Sequence, residues 1–472
     1  MSPLARHLSF LSLPAFALLA GCVTAPVGPA SEVSARVAAS IGAEPEWLRS
    51  EAAVASAERR VSSLLDAPVT PETAVQIALA NNARVQAAYE GLGIAQADFS
   101  AALFPANPVA RIFTLSPDGG GADTLTAGLG FDLLGLVTLP ASRTAGKAGF
   151  EAAKAELAAS LLTVGGDARA ALIDYVAAQQ EADLVSQAAE TAEASAFAAD
   201  RLYEAGNIAK VERDQEALLA ARIGILRAEA NAALVPARER LIAALALTPE
   251  QAGRLETIRR LPPPPKEALH INGLEEKVIS SSSDLAIASG ALRAAEARRG
   301  VSWLTSLLPG LSVEVERERE DGNWSTGVGL EGGVPLADLG GAGRLRDISM
   351  QRQRAAIAEA LDLELRAEAR SRFASAEAAR QIAEIHRTTI LPLSADVYEG
   401  MQLDFNAMQI GIFDLLKARS DRLDAGLQSI RATAGYWRAQ SDLDLLLAGL
   451  RSAAPAASTS IPISTGPAAA GH

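Results

Sequence analysis

Two kinds of hydrophobic pattern occur along the chain. Most of it is rich in Ala and Leu, with polar residues at helical spacing, whereas short stretches alternate strictly between apolar and polar positions. In 124–133 the odd positions are apolar and the even positions are Thr, Gly or Asp, and 324–331 alternates in a similar way. The pattern predicts a mostly α-helical protein with two β-strand pairs, at about 108–134 and 311–334.

The same order of signals occurs twice, which indicates an internal duplication. Each half contains a helical region ended by proline, a strand pair, a long helix, a short turn and a return helix. Equivalent positions keep a nearly constant separation: Arg143 and Arg344 are 201 positions apart, and Ile208 and Ile410 are 202 apart.

The helical regions are long. Helices are expected from Thr70 to about Leu103 and from about Gly273 to Leu308. A further helix from Arg143 to about Ala205 has roughly 60 residues and a length of about 90 Å. Such helices are too long for a globule and must pack as bundles or coiled coils.

These signals divide the chain into six predicted segments. They are a signal peptide at 1–21, a lipidated N-terminal periplasmic segment at 22–69, a first repeat at 70–250, a Pro-rich linker at 251–268, a second repeat at 269–450 and a disordered tail at 451–472.

The N-terminal region has the pattern of a secreted precursor. Arg6 precedes the apolar run Leu8–Ala20, which is too short to span a bilayer but typical of a signal peptide. The only cysteine of the chain, Cys22, follows Leu19-Ala20-Gly21, which resembles the bacterial lipoprotein box. We therefore expect Cys22 to be lipidated and to anchor the chain in outer-membrane lipid. The alternative is an ordinary signal peptide with a chance cysteine.

Composition excludes several classes of function. The chain has 43 Lys and Arg against 56 Asp and Glu, a net charge of −13, which argues against nucleic acid as a partner. One cysteine and four scattered histidines show no metal-ligand spacing. No phosphate-binding loop or nucleophile motif occurs. The sequence therefore predicts a protein that is not an enzyme and has no cofactor and no metal site.

The strand pairs set a condition on any membrane role. Four strands cannot close a lipid-facing barrel, whereas three chains would supply about twelve. A membrane function therefore implies a homo-oligomer. The alternative is a small soluble hairpin pair half-buried on the helices.

The complete order of elements resembles the TolC-type outer-membrane efflux factors, in their lipoprotein subgroup. The motifs that carry the resemblance are Ala78–Asn82, Asn107-Pro108, Tyr203–Ile208, Ile390–Pro392, Tyr398 and Phe413–Leu416. The resemblance implies a homotrimer with a long antiparallel α-helical barrel in the periplasm and a 12-stranded β-barrel in the outer membrane. It also implies that a long helix is interrupted near Pro392.

The function that this resemblance implies is that of a passive exit duct. The duct would receive substrates from a periplasmic adaptor protein and an inner-membrane efflux pump, together forming a tripartite system. The alternative is a periplasmic coiled-coil lipoprotein with a scaffolding or adaptor role. The sequence does not identify the exported substrate.

The resemblance also places candidate sites at the helix tips. Asp414 matches the first acidic residue of the family's pore constriction, whereas Lys417 stands where a second Asp often occurs and could pair with Asp414. Glu212 holds the matching position in the first repeat. Alternatively, both acids are solvated first-turn residues. The candidate adaptor contacts are the turn residues Gly206, Asn207, Gln409, Ile410 and Gly411.

Overall fold

The computed structural model describes residues 28–116, 123–320, 323–334, 336 and 338–451. The expected signal peptide, the lipidation site Cys22 and the expected tail after Arg451 lie outside the described residues. Within the described ranges, no helix combines the length and the apolar character needed to cross a membrane.

The described residues of the first half form nine elements. They are α1 (Gly28–Ile41), α2 (Glu51–Leu64), α3 (Pro71–Asn81), α4 (Ala83–Ala102), β1 (Val109–Leu115), β2 (Thr124–Asp132), α5 (Leu133–Glu204), α6 (Lys210–Ala244) and α7 (Pro249–Gly253). The longest of these, α5, has 72 residues and therefore extends for about 108 Å.

The second half repeats the order of helices and strands. Its elements are α8 (Leu274–Ser281), α9 (Ser283–Leu307), β3 (Ser312–Glu320), β4 (Asn323–Glu331), α10 (Gly341–Ile385), a π-turn (His386–Ile390), α11 (Leu391–Asn406) and α12 (Ile412–Leu447). A mostly α-helical fold with four strands is therefore confirmed.

Two of the predicted helices are broken by local caps. The expected helix from Thr70 to about Leu103 is split at Asn82, whose side chain accepts the N–H of Arg84 at 2.9 Å. The expected helix from Gly273 is split at Ser282, whose hydroxyl accepts the N–H of Leu285 at 3.2 Å. Such side chains offer the backbone an alternative to the helical hydrogen bond, so the prediction of continuous helices was wrong at these points.

The long helix of the first repeat starts earlier than predicted. It begins at Leu133, not near Arg143, because Asp132 caps it directly at the end of β2. The Asp132 carboxylate accepts the N–H of Gly135 at 2.8 Å. Strand and helix are therefore joined without a loop.

The four strands form one antiparallel sheet in the order β1-β2-β3-β4. The two repeats meet where β2 pairs with β3, with Leu129 opposite Val315 and Gly128 opposite Glu316. The outer edges of the sheet are β1 and β4, which pair with no further described strand of the chain.

The main hydrophobic core surrounds the middle of α5. The side chains of Leu161, Leu172 and Ile173 are buried there with Ile77 and Tyr89 from the short helices. Nearer the tip, the packing narrows to a seam of small and branched residues, formed by Val185, Ala189, Ala192, Ile223 and Leu427. Because alanine side chains are small, neighbouring helices can approach closely along this seam. This close packing agrees with a composition of only 4% aromatic residues.

A buried arginine attaches the linker between the repeats to α10. Arg380 is only 7% exposed and donates to the carbonyls of Pro265 and Lys266 at 3.4 and 3.1 Å. Its guanidinium also forms a two-pronged salt bridge with Glu377, at 2.8 and 2.9 Å. The Glu377 carboxylate in turn accepts the N–H of Leu269 at 3.1 Å. The hydrogen bonds from Arg380 are the main reason that the pKa of Glu377 falls to about 2.

The long helix of the second repeat passes through a π-turn. The N–H of Leu391 donates to the carbonyl of His386, one residue further back than in an α-helix. Pro392 follows directly and contributes no N–H to the helical ladder. The interruption implied near Pro392 is thus a widened turn within a continuous helical path.

The salt bridge at the linker predicts a specific acid dependence of stability. The folded pKa of Glu377, about 2, lies below its ordinary value of 4.5. The carboxylate therefore contributes stability above pH 4.5 that is lost as the pH falls towards 2. In Glu377→Gln, the decrease in unfolding free energy across this window should be smaller, as measured by denaturant titrations followed by circular dichroism. Glu359→Gln, an exposed position on the same helix, is the control, and equal acid dependence in all three proteins would contradict the prediction.

Candidate functional site

The register of the sheet separates its side chains into two chemically different faces. Directly opposed residues of antiparallel strands lie on the same face. One face, here called the apolar face, carries Ala110, Ile112, Leu125, Ala127, Leu129, Phe131, Val313, Val315, Val328 and Leu330, together with Thr114, Thr326, Trp324, Arg317 and Arg319. The residues predicted from the alternation to lie together, such as Leu125 and Leu129, do share this face.

The opposite face, here called the acidic face, carries a column of carboxylates. Its acidic residues are Asp132, Glu314, Glu316, Glu318, Glu320 and Glu331, and they are accompanied by Ser, Thr, Asn and Gly on β2, β3 and β4. Arg111 forms an ion pair with Glu314 at 3.0 Å. The edge strand β1 is an exception, because Val109, Phe113 and Leu115 also lie on this face and are exposed.

Large apolar side chains are also exposed where the helices adjoin the strands along the chain. The exposed fractions reach 70% for Phe104, 59% for Val137 and Trp303, and 82% for Leu336. Exposed apolar groups of this size mark surfaces that contact another protein or lipid. The sheet and its flanking residues together therefore form a candidate membrane and subunit surface.

The two helix tips have the same backbone geometry. In the first tip Gly206 has φ 77°, and in the second tip Met408 has φ 60°. The N–H of Asn207 donates to the backbone carbonyl of Leu202 at 2.8 Å. In the same way, the N–H of Gln409 donates to the backbone carbonyl of Asp404 at 2.9 Å. Both tips are therefore left-handed helix endings of the Schellman type.

The five candidate adaptor contacts lie at these two turns. Gly206, Asn207, Gln409 and Gly411 are exposed, and Ile410 is half-buried. Sequence reasoning missed Met408, which directly precedes Gln409 in the second turn and is 93% exposed. A non-glycine residue in the left-handed region is strained, and no sequence motif indicates that a methionine occupies it.

The two acidic tip residues differ in their surroundings. Glu212 is engaged locally, because its carboxylate accepts the N–H of Ala209 at 2.8 Å and so caps α6. Asp414 lies in the first turn of α12, is exposed, and makes no side-chain hydrogen bond or ion pair within the part of the chain that the structure describes. Asp414 is therefore the acid that remains available to a pore or a partner.

Lys417 pairs with Asp421 and not with Asp414, which was the partner that the sequence suggested. Its ammonium group binds the carboxylate of Asp421 at 2.6 Å, one helical turn further along α12, and this hydrogen bond raises the pKa of Lys417. The spacing of four residues brings the two side chains together on the helix surface. The pairing with Asp414 that the sequence allowed is therefore not formed.

Cation–π contacts join the two helices of each tip, and sequence reasoning missed them. The Arg213 guanidinium lies over the Tyr203 ring at 4.7 Å, and that of Arg422 lies over Tyr398 at 5.1 Å. Both tyrosines belong to the motifs that carry the family resemblance, and this was the signal in the sequence that could have pointed to these contacts. Among the described residues, no group of three or more His, Cys, Asp or Glu side chains could hold a metal ion.

The structure is similar to solved outer-membrane channels over most of its length. The Campylobacter jejuni CmeC outer membrane channel matches with a TM-score of 0.69 and 15% identity, over 83% of this chain and 86% of that one. The outer-membrane channel OprN matches with a TM-score of 0.67 and 18% identity, over 82% of this chain and 92% of that one. The open state of the Neisseria gonorrhoeae MtrE outer membrane channel matches with a TM-score of 0.65 and 18% identity, over 83% of this chain and 90% of that one.

These likenesses define the fold of the chain. No protein-family model matches it, and no curated protein matches it in sequence. The fold is nevertheless shared with these outer-membrane channels, so the TolC-type fold that the sequence motifs implied is confirmed, whereas the lipoprotein subgroup stays a prediction.

The strain at Met408 leads to a testable prediction. A left-handed conformation costs a non-glycine residue about 1–2 kcal/mol, so Met408→Gly should raise the free energy of local opening of the second tip by about 1 kcal/mol. Amide hydrogen exchange of residues 400–415 measures this. The matched variant Gly206→Met should lower the free energy of local opening of the first tip by a similar amount. Faster exchange in Met408→Gly would show that the methionine side chain stabilises the tip.

Proposed function

We propose that this protein is the outer-membrane exit duct of a tripartite efflux system. It acts as a homotrimer and passively conducts substrates delivered by a periplasmic adaptor protein and an inner-membrane pump. The observation that carries the proposal is the sheet with one apolar and one acidic face, within a fold shared with outer-membrane channels. The solved channels that support it are not enzymes, in keeping with a duct that performs no chemistry.

The open edges of the sheet support a trimer. Backbone groups of β1 and β4 that face hydrocarbon need hydrogen-bond partners, which only a closed barrel provides. Pairing β1 of one protomer with β4 of the next closes such a barrel, and three chains supply about twelve strands. The apolar face then contacts lipid, and the acidic face lines the lumen.

The acidic face gives this lumen a defined electrostatic character. Three copies of the column from Glu314 to Glu320 surround the same axis in the proposed trimer. A ring of carboxylates attracts cations and repels anions. The exit of the duct is therefore expected to favour cations, and substrate choice is left to the pump.

At the periplasmic end, Asp414 is the proposed pore constriction. Its carboxylate is exposed and has no partner among the described residues, so it can face a threefold axis. The carboxylate of Glu212 caps its own helix and is proposed to contribute less to the constriction. The proposed adaptor contacts are the turn residues Gly206, Asn207, Gln409, Ile410 and Gly411. The proposed lipid anchor is Cys22.

The assigned faces predict different effects of the same substitution. In Leu129→Arg, a charge enters the lipid-facing surface, at a cost of about 2–4 kcal/mol near mid-bilayer. In Thr126→Arg, the new side chain lies opposite Glu318 on the acidic face. Only Leu129→Arg should reduce the amount of heat-resistant trimer in outer-membrane fractions. Equal yields from both variants would show that the faces are wrongly assigned, and release of the wild type without detergent would favour the scaffold alternative.

The proposed constriction predicts a change in conductance. Asp414→Ala should raise single-channel conductance in planar bilayers and weaken block by divalent cations, because three like charges are removed from the narrowest point. Glu212→Ala should have a smaller effect. Lys417→Ala is the control and should leave block nearly unchanged, since Lys417 binds Asp421. Wild-type conductance and block in Asp414→Ala would place the constriction elsewhere, most plausibly at the turn 409–411.

A further inference from the structure

Two arginines lie on the face of the sheet where charge is least expected. Arg317 and Arg319 occupy alternate positions of β3, in register with Ala127 and Leu125 of β2. They therefore share the apolar face, and both are exposed. They are the only charged residues on this face among the described strand positions.

No carboxylate of the described residues forms an ion pair with either arginine. The acidic residues of the strands all point to the opposite face, where Arg111 pairs with Glu314. The contact found at Arg317 is with an aromatic ring: its guanidinium lies 4.9 Å from the centre of the Trp324 ring. Two positive charges beside an indole are thus left facing away from the lumen.

The position of these arginines in the sheet indicates the depth at which they act. Val313, Val315, Val328 and Leu330 cover the half of the apolar face nearest the helices. Arg319 lies opposite Trp324, in the half nearest the end of β3 and the start of β4. Tryptophan is typical of the boundary between hydrocarbon and headgroups, and a charged side chain on a lipid face is least costly there.

The chemistry of the pair suits phosphate. Guanidinium groups bind phosphate oxygens through two parallel N–H donors. Alternate residues of a strand are about 6–7 Å apart, so both side chains can reach one headgroup. A zwitterionic headgroup carries its own ammonium partner, whereas a phosphorylated sugar headgroup offers uncompensated negative charge.

We propose that Arg317, Arg319 and Trp324 form a binding site for the phosphorylated glycolipid of the outer leaflet, lipid A. This proposal rests on the proposed function, because it requires the apolar face to contact the outer membrane. It adds a lipid headgroup site on the outside of the sheet, separate from the lumen and from the helix tips.

Native mass spectrometry of the purified trimer tests the site with diphosphoryl lipid A as the probe. The double variant Arg317→Gln/Arg319→Gln should retain lipid A at least about tenfold more weakly than the wild type. The variant Arg317→Lys/Arg319→Lys keeps the charges but loses the planar donors. Its retention of lipid A should lie between those of the wild type and the Gln double variant. Arg111→Gln is the matched control on the acidic face and should bind as the wild type does.

The outcomes separate the site from the function on which it rests. Equal retention of lipid A by the wild type and the double variant overturns the proposed site. An equal loss of phosphatidylethanolamine in the double variant also overturns it, because the arginines would then hold any lipid. Failure of the wild type to form a membrane-inserted trimer overturns the proposed function itself. The single variants Arg317→Gln and Arg319→Gln give an independent reading if the double variant assembles poorly.

Discussion

The antiparallel pairing of β2 with β3 is the interaction on which the architecture depends. The pairs β1–β2 and β3–β4 each form within one repeat, whereas β2–β3 joins residues almost half the chain apart. It fixes the register of the whole sheet, and a slip of one residue would move Glu314 to Glu320 onto the apolar face. The same pairing sets α5, which continues directly from β2, beside the helices of the second repeat.

Because β2 runs into α5 through the Asp132 cap, the sheet dictates where the long helices start. Their length then places the tips far from the sheet, and the thin alanine-lined seam lets the hairpins stay narrow over that distance. The wider core around the middle of α5 and the linker held by Arg380 stabilise the chain between these ends. The apolar face of the sheet and the turns at the helix tips thus lie far apart in one chain, because a well-packed middle separates them.

Much of this organisation could be predicted from the sequence, since period-two alternation placed Leu125 and Leu129 on one side of their strand and Val328 on the same side of its strand as Leu330. The features that were missed depend on contacts distant in sequence or on local competition. Arg380 binds the carbonyl of Lys266 on the linker, and nothing near Arg380 in the sequence indicates that partner. Lys417 had two acids within reach on one helix, Asp414 and Asp421, and only side-chain geometry decided between them.

The π-turn at His386–Ile390 lies where the spacing between corresponding residues of the two repeats changes. Before the turn, the buried residues Leu365 and Ala369 correspond to the buried Val164 and Ala168, at a separation of 201 positions. Beyond it, Met408 corresponds to Gly206 at a separation of 202. The separation between corresponding residues therefore grows by one position between Ala369 and Met408, and the π-turn lies in that interval. A π-turn holds one more residue than an α-helical turn, so the helix can take up the extra residue there while the packing on both sides keeps the same faces.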